Sequence, residues 1–154
     1  MQLSKFSDYA LRMLMYCGLY PNEMHSVASI AAAYGVSQHH LVKVAQRLQE
    51  LRLVVATRGR GGGISLAKEP ADVVVGEVVR ATENLDVVEC MSSSSGAAIS
   101  SSCGLTGSCQ LQHALMRARD AFLGELDVVT LADLLQPRAA LLRRLPTSKG
   151  IAET

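Results

Sequence analysis

A mainly α fold with one small β-hairpin is predicted by three features of this 154-residue chain. Two short amphipathic helical patterns flank a glycine. A glycine-rich tip between two extended runs follows directly, and a long helical pattern stands near the end. The first two features together make a helix-turn-helix followed by a wing, which is the winged-helix arrangement. The third is an added helix suited to pairing two copies.

The elements follow from local spacing. Residues 4–20 read as a helix, because Phe6, Tyr9, Ala10, Met13, Leu14 and Cys17 recur at intervals of three and four and share one face. Pro21-Asn22 stops it. Ser26 caps a short helix carrying Val27, Ile30, Ala31 and Tyr34, and Gly35 follows the last periodic residue. Ser37 caps the next helix, whose inner face is Leu41, Val44, Leu48 and Leu51. Residues 53–58 are β-branched and extended, GRGGG occupies 59–63, and Ile64-Ser65-Leu66 returns.

Pro70 and the valines at 73–75 lead into a short helix over residues 76–83. Residues 84–108 are irregular, with serines at 92–95 and 100–102 close to low complexity. A long helix starts at Gln110, with Leu111, Leu115, Ala118, Phe122 and Leu126 as its apolar stripe and Arg117, Arg119, Asp120 and Glu125 on other faces. A lone stripe so far along the chain suits packing on a second copy. Thr130 and Asp133 have the spacing of a capping box for a last short helix, and past Pro137 the chain is expected to fray. The expected organisation is a DNA-binding unit over 1–83, a cysteine loop over 84–109, a pairing helix with its terminal helix over 110–136, and a flexible tail over 137–154.

Composition excludes some classes. No apolar run approaches the roughly 18–20 residues that cross a bilayer, and the N-terminus lacks the shape of a signal peptide, so a cytoplasmic location is expected. The net charge of +1 is uninformative, but its distribution is not. Residues 1–68 hold eight Lys/Arg against three Asp/Glu, a net of +5, whereas residues 69–154 hold seven against eleven, a net of −4. A basic front half suits a polyanion.

A reading helix enters the major groove by its N-terminal residues. Here those are Ser37, Gln38, His39 and His40, with Lys43 one turn later. Ser, Gln and His exchange hydrogen bonds with base edges, and Lys reaches a base or a phosphate. In the wing, Arg58 and Arg60 flank Gly59. Glycines let the backbone approach a phosphate ridge, and an arginine at such a tip suits a narrow minor groove.

Three of the four cysteines, Cys90, Cys103 and Cys109, stand in the serine- and glycine-rich loop. Such a loop buries little apolar surface and needs another source of order. In a reducing compartment thiols stay free of disulfides, and thiolates select soft metals or iron–sulfur clusters. The spacing is Cys90-x12-Cys103-x5-Cys109, without the close pairs of structural zinc sites. That pattern fits an iron–sulfur cluster with a fourth ligand from elsewhere: His113, Asp8, Glu89 or a small external molecule. Zinc with Cys3His ligation and ligand-free thiols remain as alternatives. Cys17 lies in an apolar helical pattern and reads as a core residue.

MQLSKFSDYALR, YGVSQHHLVKV, RGRGGGISLAK, then VVR-x2-E and three cysteines resemble the IscR/NsrR family of winged-helix iron–sulfur regulators, over roughly residues 1–135. The likeness is greater to the nitric-oxide-sensing repressors of that family. It implies a homodimer paired through the long helix, and a 4Fe-4S cluster (alternatively 2Fe-2S) on Cys90, Cys103 and Cys109. In nitric-oxide-sensing members an aspartate of the first helix supplies the fourth ligand from the partner subunit, and the matching position is Asp8. Arg12, four residues on, is placed to pair with it.

Two departures stand out. The family keeps its first two cysteines closer together, whereas twelve residues separate Cys90 from Cys103 here. Loop closure grows slowly with length, so this costs only on the order of 1 kcal/mol. Cluster-supply regulators of the family also place a histidine three residues after the last cysteine. Gln112 holds that place here, with His113 one later.

The expected function is a dimeric repressor whose hold on operator DNA is lost when nitric oxide nitrosylates the cluster. The alternative is a regulator that reads cluster supply or redox state. An electron-transfer protein is disfavoured by the basic front half and the wing. A cysteine enzyme is disfavoured because only Cys109 and His113 stand close, without an accompanying acid.

Overall fold

The computed structural model describes residues 2–21, 23–59, 61–88, 91 and 108–145. Helix α1 spans Lys5–Leu19, α2 Val27–Tyr34 and α3 Gln38–Glu50. Strands β1 (Val54–Thr57) and β2 (Gly63–Leu66) follow, then a 3-10 turn at Pro70–Asp72 and α4 (Val75–Thr82). The described chain resumes with α5 (Gln110–Asp127), α6 (Leu131–Leu134) and α7 (Arg138–Arg144).

Helix α1 is the spine. Ser4 caps it, accepting the Ser7 amide at 3.3 Å, and its inner face buries Ala10, Met13, Leu14 and Cys17 as the spacing predicts, with Tyr16 and Leu19 added. Ile30 and Ala31 of α2 and Leu41, Val44 and Leu48 of α3 close on that face. Burying one such aliphatic side chain stabilises the fold by roughly 1.5–3 kcal/mol.

The strands pair antiparallel, with Val54 opposite Leu66 and Thr57 opposite Gly63. A further bridge ties the wing to the body: the His25 amide donates to the Ile64 carbonyl at 2.9 Å, and the Ile64 amide to the His25 carbonyl at 2.8 Å. A β-carbon on Gly63 would stand 2.7 Å from the His25 carbonyl oxygen, so glycine is required there by close approach.

After α5 the chain doubles back. The Val75 amide donates to the Val129 carbonyl at 2.9 Å, and the Leu131 amide to the Val73 carbonyl at 2.8 Å. The Thr130 and Asp133 capping box forms as expected. Arg80 of α4 binds Asp127 of α5 through both guanidinium nitrogens, one of them at 2.7 Å.

Three expectations need correction. The α5 stripe is not reserved for a second copy along its length. Phe122 and Leu126 pack with Leu123, which is 5% exposed, against Val75 and Val79 of α4. Only the leading part is open, with Leu111 at 65% exposure. Ser37 holds the N-cap position of α3 with extended backbone, but its side chain makes no capping hydrogen bond.

The third correction concerns Arg138–Arg144, which form α7 where a frayed tail was expected; residues 146–154 of that expected tail lie outside the described residues. Arg138 there donates to the Gly18 and Leu19 carbonyls at the end of α1, and Tyr20 donates to the Leu145 carbonyl at 2.6 Å. A cation on the last carbonyls of a helix satisfies acceptors that lack an intrahelical partner. No helix among the described residues is long and apolar enough to cross a membrane.

Candidate nucleic-acid interface and metal-ligand positions

The turn between α2 and α3 is fixed by Gly35, which takes the left-handed conformation at φ 63°. Its amide donates to the Ala32 carbonyl at 3.2 Å and the Val36 amide to the Ala31 carbonyl at 3.0 Å. This pair of bonds is the Schellman closure. It aims the start of α3 outward. Ser37, Gln38, His39, His40 and Lys43 are all exposed, while Leu41, Val44 and Leu48 anchor the opposite face. The His40 ring lies over Tyr9 of α1, with centroids 6.4 Å apart and planes 29° apart.

Arg58 and Gly59 stand exposed at the wing tip. Gly59 (φ 99°) and Gly61 (φ 84°) are left-handed, and the Gly62 amide closes the loop on the Gly59 carbonyl at 3.0 Å. Arg60 lies outside the described residues.

Asp8 is on the first turn of α1. Its two carboxylate oxygens share the Nε–H of Arg12, at 2.8 and 2.9 Å. Both side chains are about two-fifths exposed, at 39% for Asp8 and 44% for Arg12. The hydrogen bond to Asp8 holds the guanidinium above its ordinary pKa. Asp8, Arg12, Tyr9 and Val36 border one open hollow between α1 and the turn before α3.

Cys109 is the N-cap of α5, and its sulfur accepts the Gln112 amide at 3.4 Å. His113 is exposed one turn further on. Cys90, Cys103 and Glu89 lie outside the described residues, as does most of the serine-rich insertion. Cys17 is 1% exposed, and burial pushes its thiol up to about 12, so it stays protonated and structural. Among the described residues no three or more His, Cys, Asp or Glu side chains gather to hold a metal ion.

The donors nevertheless suit an iron–sulfur cluster. Cys109 presents its sulfur at a helix N-terminus, Cys17 is withdrawn by burial, and Asp8 offers a solvent-accessible carboxylate.

A polar network at the base of α1 was missed from the sequence. Ser7 is fully buried and receives the Thr82 hydroxyl at 3.1 Å, while Glu83 accepts the Ser4 amide at 2.8 Å. A serine on an otherwise apolar face was the available signal. Tyr34, which the spacing places only in the α2 pattern, donates its hydroxyl to the Arg12 carbonyl at 3.0 Å, a bond without a local sequence signal.

An outward-facing reading helix beside an arginine-bearing wing defines a winged-helix DNA-binding regulator. A family model described as Rrf2, iron-dependent transcriptional regulator, matches residues 3–137. The chain is 47% identical over 152 residues to the HTH-type transcriptional regulator NsrR of Geobacillus kaustophilus (strain HTA426), covering 97% of this chain and 100% of that one.

CymR (YrzC), the global cysteine regulator of B. subtilis, superposes with a TM-score of 0.68 at 27% identity, over 87% of this chain and 95% of that one. T. potens IscR shares the fold, with a TM-score of 0.69 at 23% identity over 88% and 87% of the two chains. The chain belongs to the Rrf2 family. It is a DNA-binding transcriptional regulator and not an enzyme.

Proposed function

We propose that the chain is a dimeric repressor acting in the cytoplasm, which senses nitric oxide through a 4Fe-4S cluster. Cys90, Cys103 and Cys109 of one subunit would hold the cluster, with Asp8 of the partner subunit as fourth ligand. Residues 1–83 read the operator, 84–109 hold the cluster, and the exposed start of α5 pairs the subunits. The observation that carries this reading is the place of Asp8: it is tied to Arg12 on the helix whose next residue, Tyr9, lies against His40 of the reading helix. The 47% identity to NsrR of G. kaustophilus supports it.

When bound, the cluster supplies an iron centre reactive toward nitric oxide. The rest belongs to the chain. A carboxylate is a harder ligand than a thiolate and the weaker partner for such iron. Asp8 has a second claimant in Arg12, so a released carboxylate has a defined place to go. Ser37, Gln38, His39, His40 and Lys43 would contact the groove, and Arg58 and Gly59, with Arg60 as the sequence suggests, would contact the DNA at the wing. A fall of about 100-fold in DNA affinity needs about 2.7 kcal/mol of coupling between the two sites.

The test is oxygen-free purification, with iron and sulfide analysis, absorbance and Mössbauer spectra, then titration with nitric oxide during operator binding. The expected result is release of DNA at a few molecules of nitric oxide per cluster, and loss of that response in Asp8→Ala. A colourless, sulfide-free protein that binds its operator tightly would overturn the reading. The second reading, a sensor of cluster supply or redox state, draws on His113, one turn from Cys109. A His113→Ala protein that loses its cluster while Asp8→Ala keeps it would favour that reading.

A further inference from the structure

Helix α1 meets the reading unit through aromatic contacts at His40 and at Tyr34. The first is Tyr9 on His40, at 6.4 Å between ring centres, with His40 exposed. That separation is near the far end of useful ring contact. The second is stiffer. Tyr34 holds Arg12 twice: its hydroxyl donates to the Arg12 carbonyl at 3.0 Å, and the Arg12 guanidinium carbon lies 5.6 Å from the Tyr34 ring centre. That distance is within cation–π reach. The ring is braced from behind by Tyr16, edge-on at 6.2 Å.

Tyr34 is also the last residue of α2. Gly35, Val36 and Ser37 follow it, and α3 begins at Gln38. Val36 borders the same hollow as Asp8 and Arg12. Burial pushes the Tyr34 phenol pKa up, so it remains protonated and donating at neutral pH.

We propose that Tyr34 is the positioning residue through which the state of Asp8 reaches the reading helix. The proposal rests on the function proposed above, in which the Asp8 carboxylate is either a ligand or the partner of Arg12. With Asp8 on Arg12, the guanidinium is balanced between a carboxylate and a ring. With Asp8 engaged elsewhere, the ring and the main-chain bond are the contacts that remain to place Arg12. Any shift of Arg12 then bears on the residue that opens the turn into α3. The physical requirement is an energetic link between Asp8 and Tyr34, beyond mere adjacency.

The test compares wild type, Tyr34→Phe and Tyr34→Leu, prepared without oxygen and again after removal of iron and sulfide. Both variants are expected to keep the wild-type iron and sulfide content and visible spectrum. The ratio of operator dissociation constants between stripped and loaded protein should fall about threefold or more in Tyr34→Phe, and further in Tyr34→Leu. Should Tyr34→Leu fail to fold, Tyr34→Phe decides, since it keeps the ring and loses only the hydroxyl.

A double-mutant cycle of Asp8→Asn with Tyr34→Phe in the stripped protein gives a second readout, with non-additive effects on DNA affinity expected. An unchanged ratio with additive effects overturns the proposal, as does an equal weakening of both states. A wild type that takes up no cluster overturns the cluster reading instead, and the stripped-protein cycle then decides whether Asp8 and Tyr34 are linked.

Discussion

Glu83 accepts a hydrogen bond from the Ser4 amide at 2.8 Å, across 79 positions of sequence. The carboxylate closes the end of α4 onto the cap of α1, beside buried Ser7. It thereby fixes the turn that carries Asp8 relative to the start of the cysteine loop.

Glu83→Ala is therefore expected to destabilise the fold by about 1–3 kcal/mol, read by thermal or denaturant unfolding. Burial alone would raise the Glu83 pKa, but hydrogen bonds from Ser7, Ser4 and Asn84 together hold it below the usual value. The sign follows from linkage. A depressed folded value means that the stabilisation is complete above the unfolded value of roughly 4.3, and is lost as pH falls through the lower folded value. The stability gap between wild type and Glu83→Gln should narrow in that acidic window. A gap constant from neutral pH down through it would contradict the role assigned to the carboxylate.

Arg52 ends α3 in the left-handed region at φ 56°, with its amide on the Gln49 carbonyl at 2.9 Å and the Leu53 amide on the Leu48 carbonyl at 2.9 Å. Glycine is the residue best suited to that place, because a β-carbon there costs roughly 1–2 kcal/mol. Arg52→Gly is expected to raise stability by about 0.5–1 kcal/mol after the extra chain entropy of glycine is counted. A fall in melting temperature would refute this.

Gly63→Ala should act in the opposite direction. The added β-carbon meets the His25 backbone at 2.7–2.9 Å, and backbone cannot rotate away as a side-chain tip can. A loss of about 1–3 kcal/mol is expected, with displacement of the wing. Hydrogen exchange at the Ile64 and His25 amides would report it directly.

Among the proposed DNA contacts, Lys43→Ala and Arg58→Ala should weaken operator and random DNA alike. Each should reduce the slope of log affinity against log salt by about 1. Gln38→Ala should instead narrow the gap between operator and mutated operator by about 1–3 kcal/mol at one base pair. Equal effects of all three on the salt slope would count against the division of roles.

Arg138→Ala should release α7 from the end of α1. Faster hydrogen exchange over Arg138–Arg144, with α1 unchanged, is the expected signature, and the loss of stability should be about 1 kcal/mol. Unaltered exchange would mean that contacts other than the Arg138 bonds, the Tyr20–Leu145 bond among them, hold α7.

The helix-turn-helix, the wing and the capping box were legible because each depends on residues close in sequence. Ser26 caps α2, Gly35 turns left-handed, and Leu41, Val44 and Leu48 face inward, all as the spacing required. Ser37 misled because the N-cap position and the capping bond are separate matters: the residue type favours the bond, and the rotamer decides it. The α5 stripe misled because periodicity marks an apolar face without saying what covers it. Phe122 and Leu126 lie on the same face as Leu111, yet α4 covers only their end.

The amino-acid order by itself determined the local elements, the outward polar start of α3, the glycine wing and the supply of thiols, because periodicity, capping and turn chemistry act over a few residues. Only the tertiary structure decided that Glu83 meets Ser4, that Arg138 caps α1, and that Tyr34 grips Arg12. Those bonds join residues from 22 to 120 positions apart. Partners that distant are chosen by how the helices stack, which no local spacing encodes.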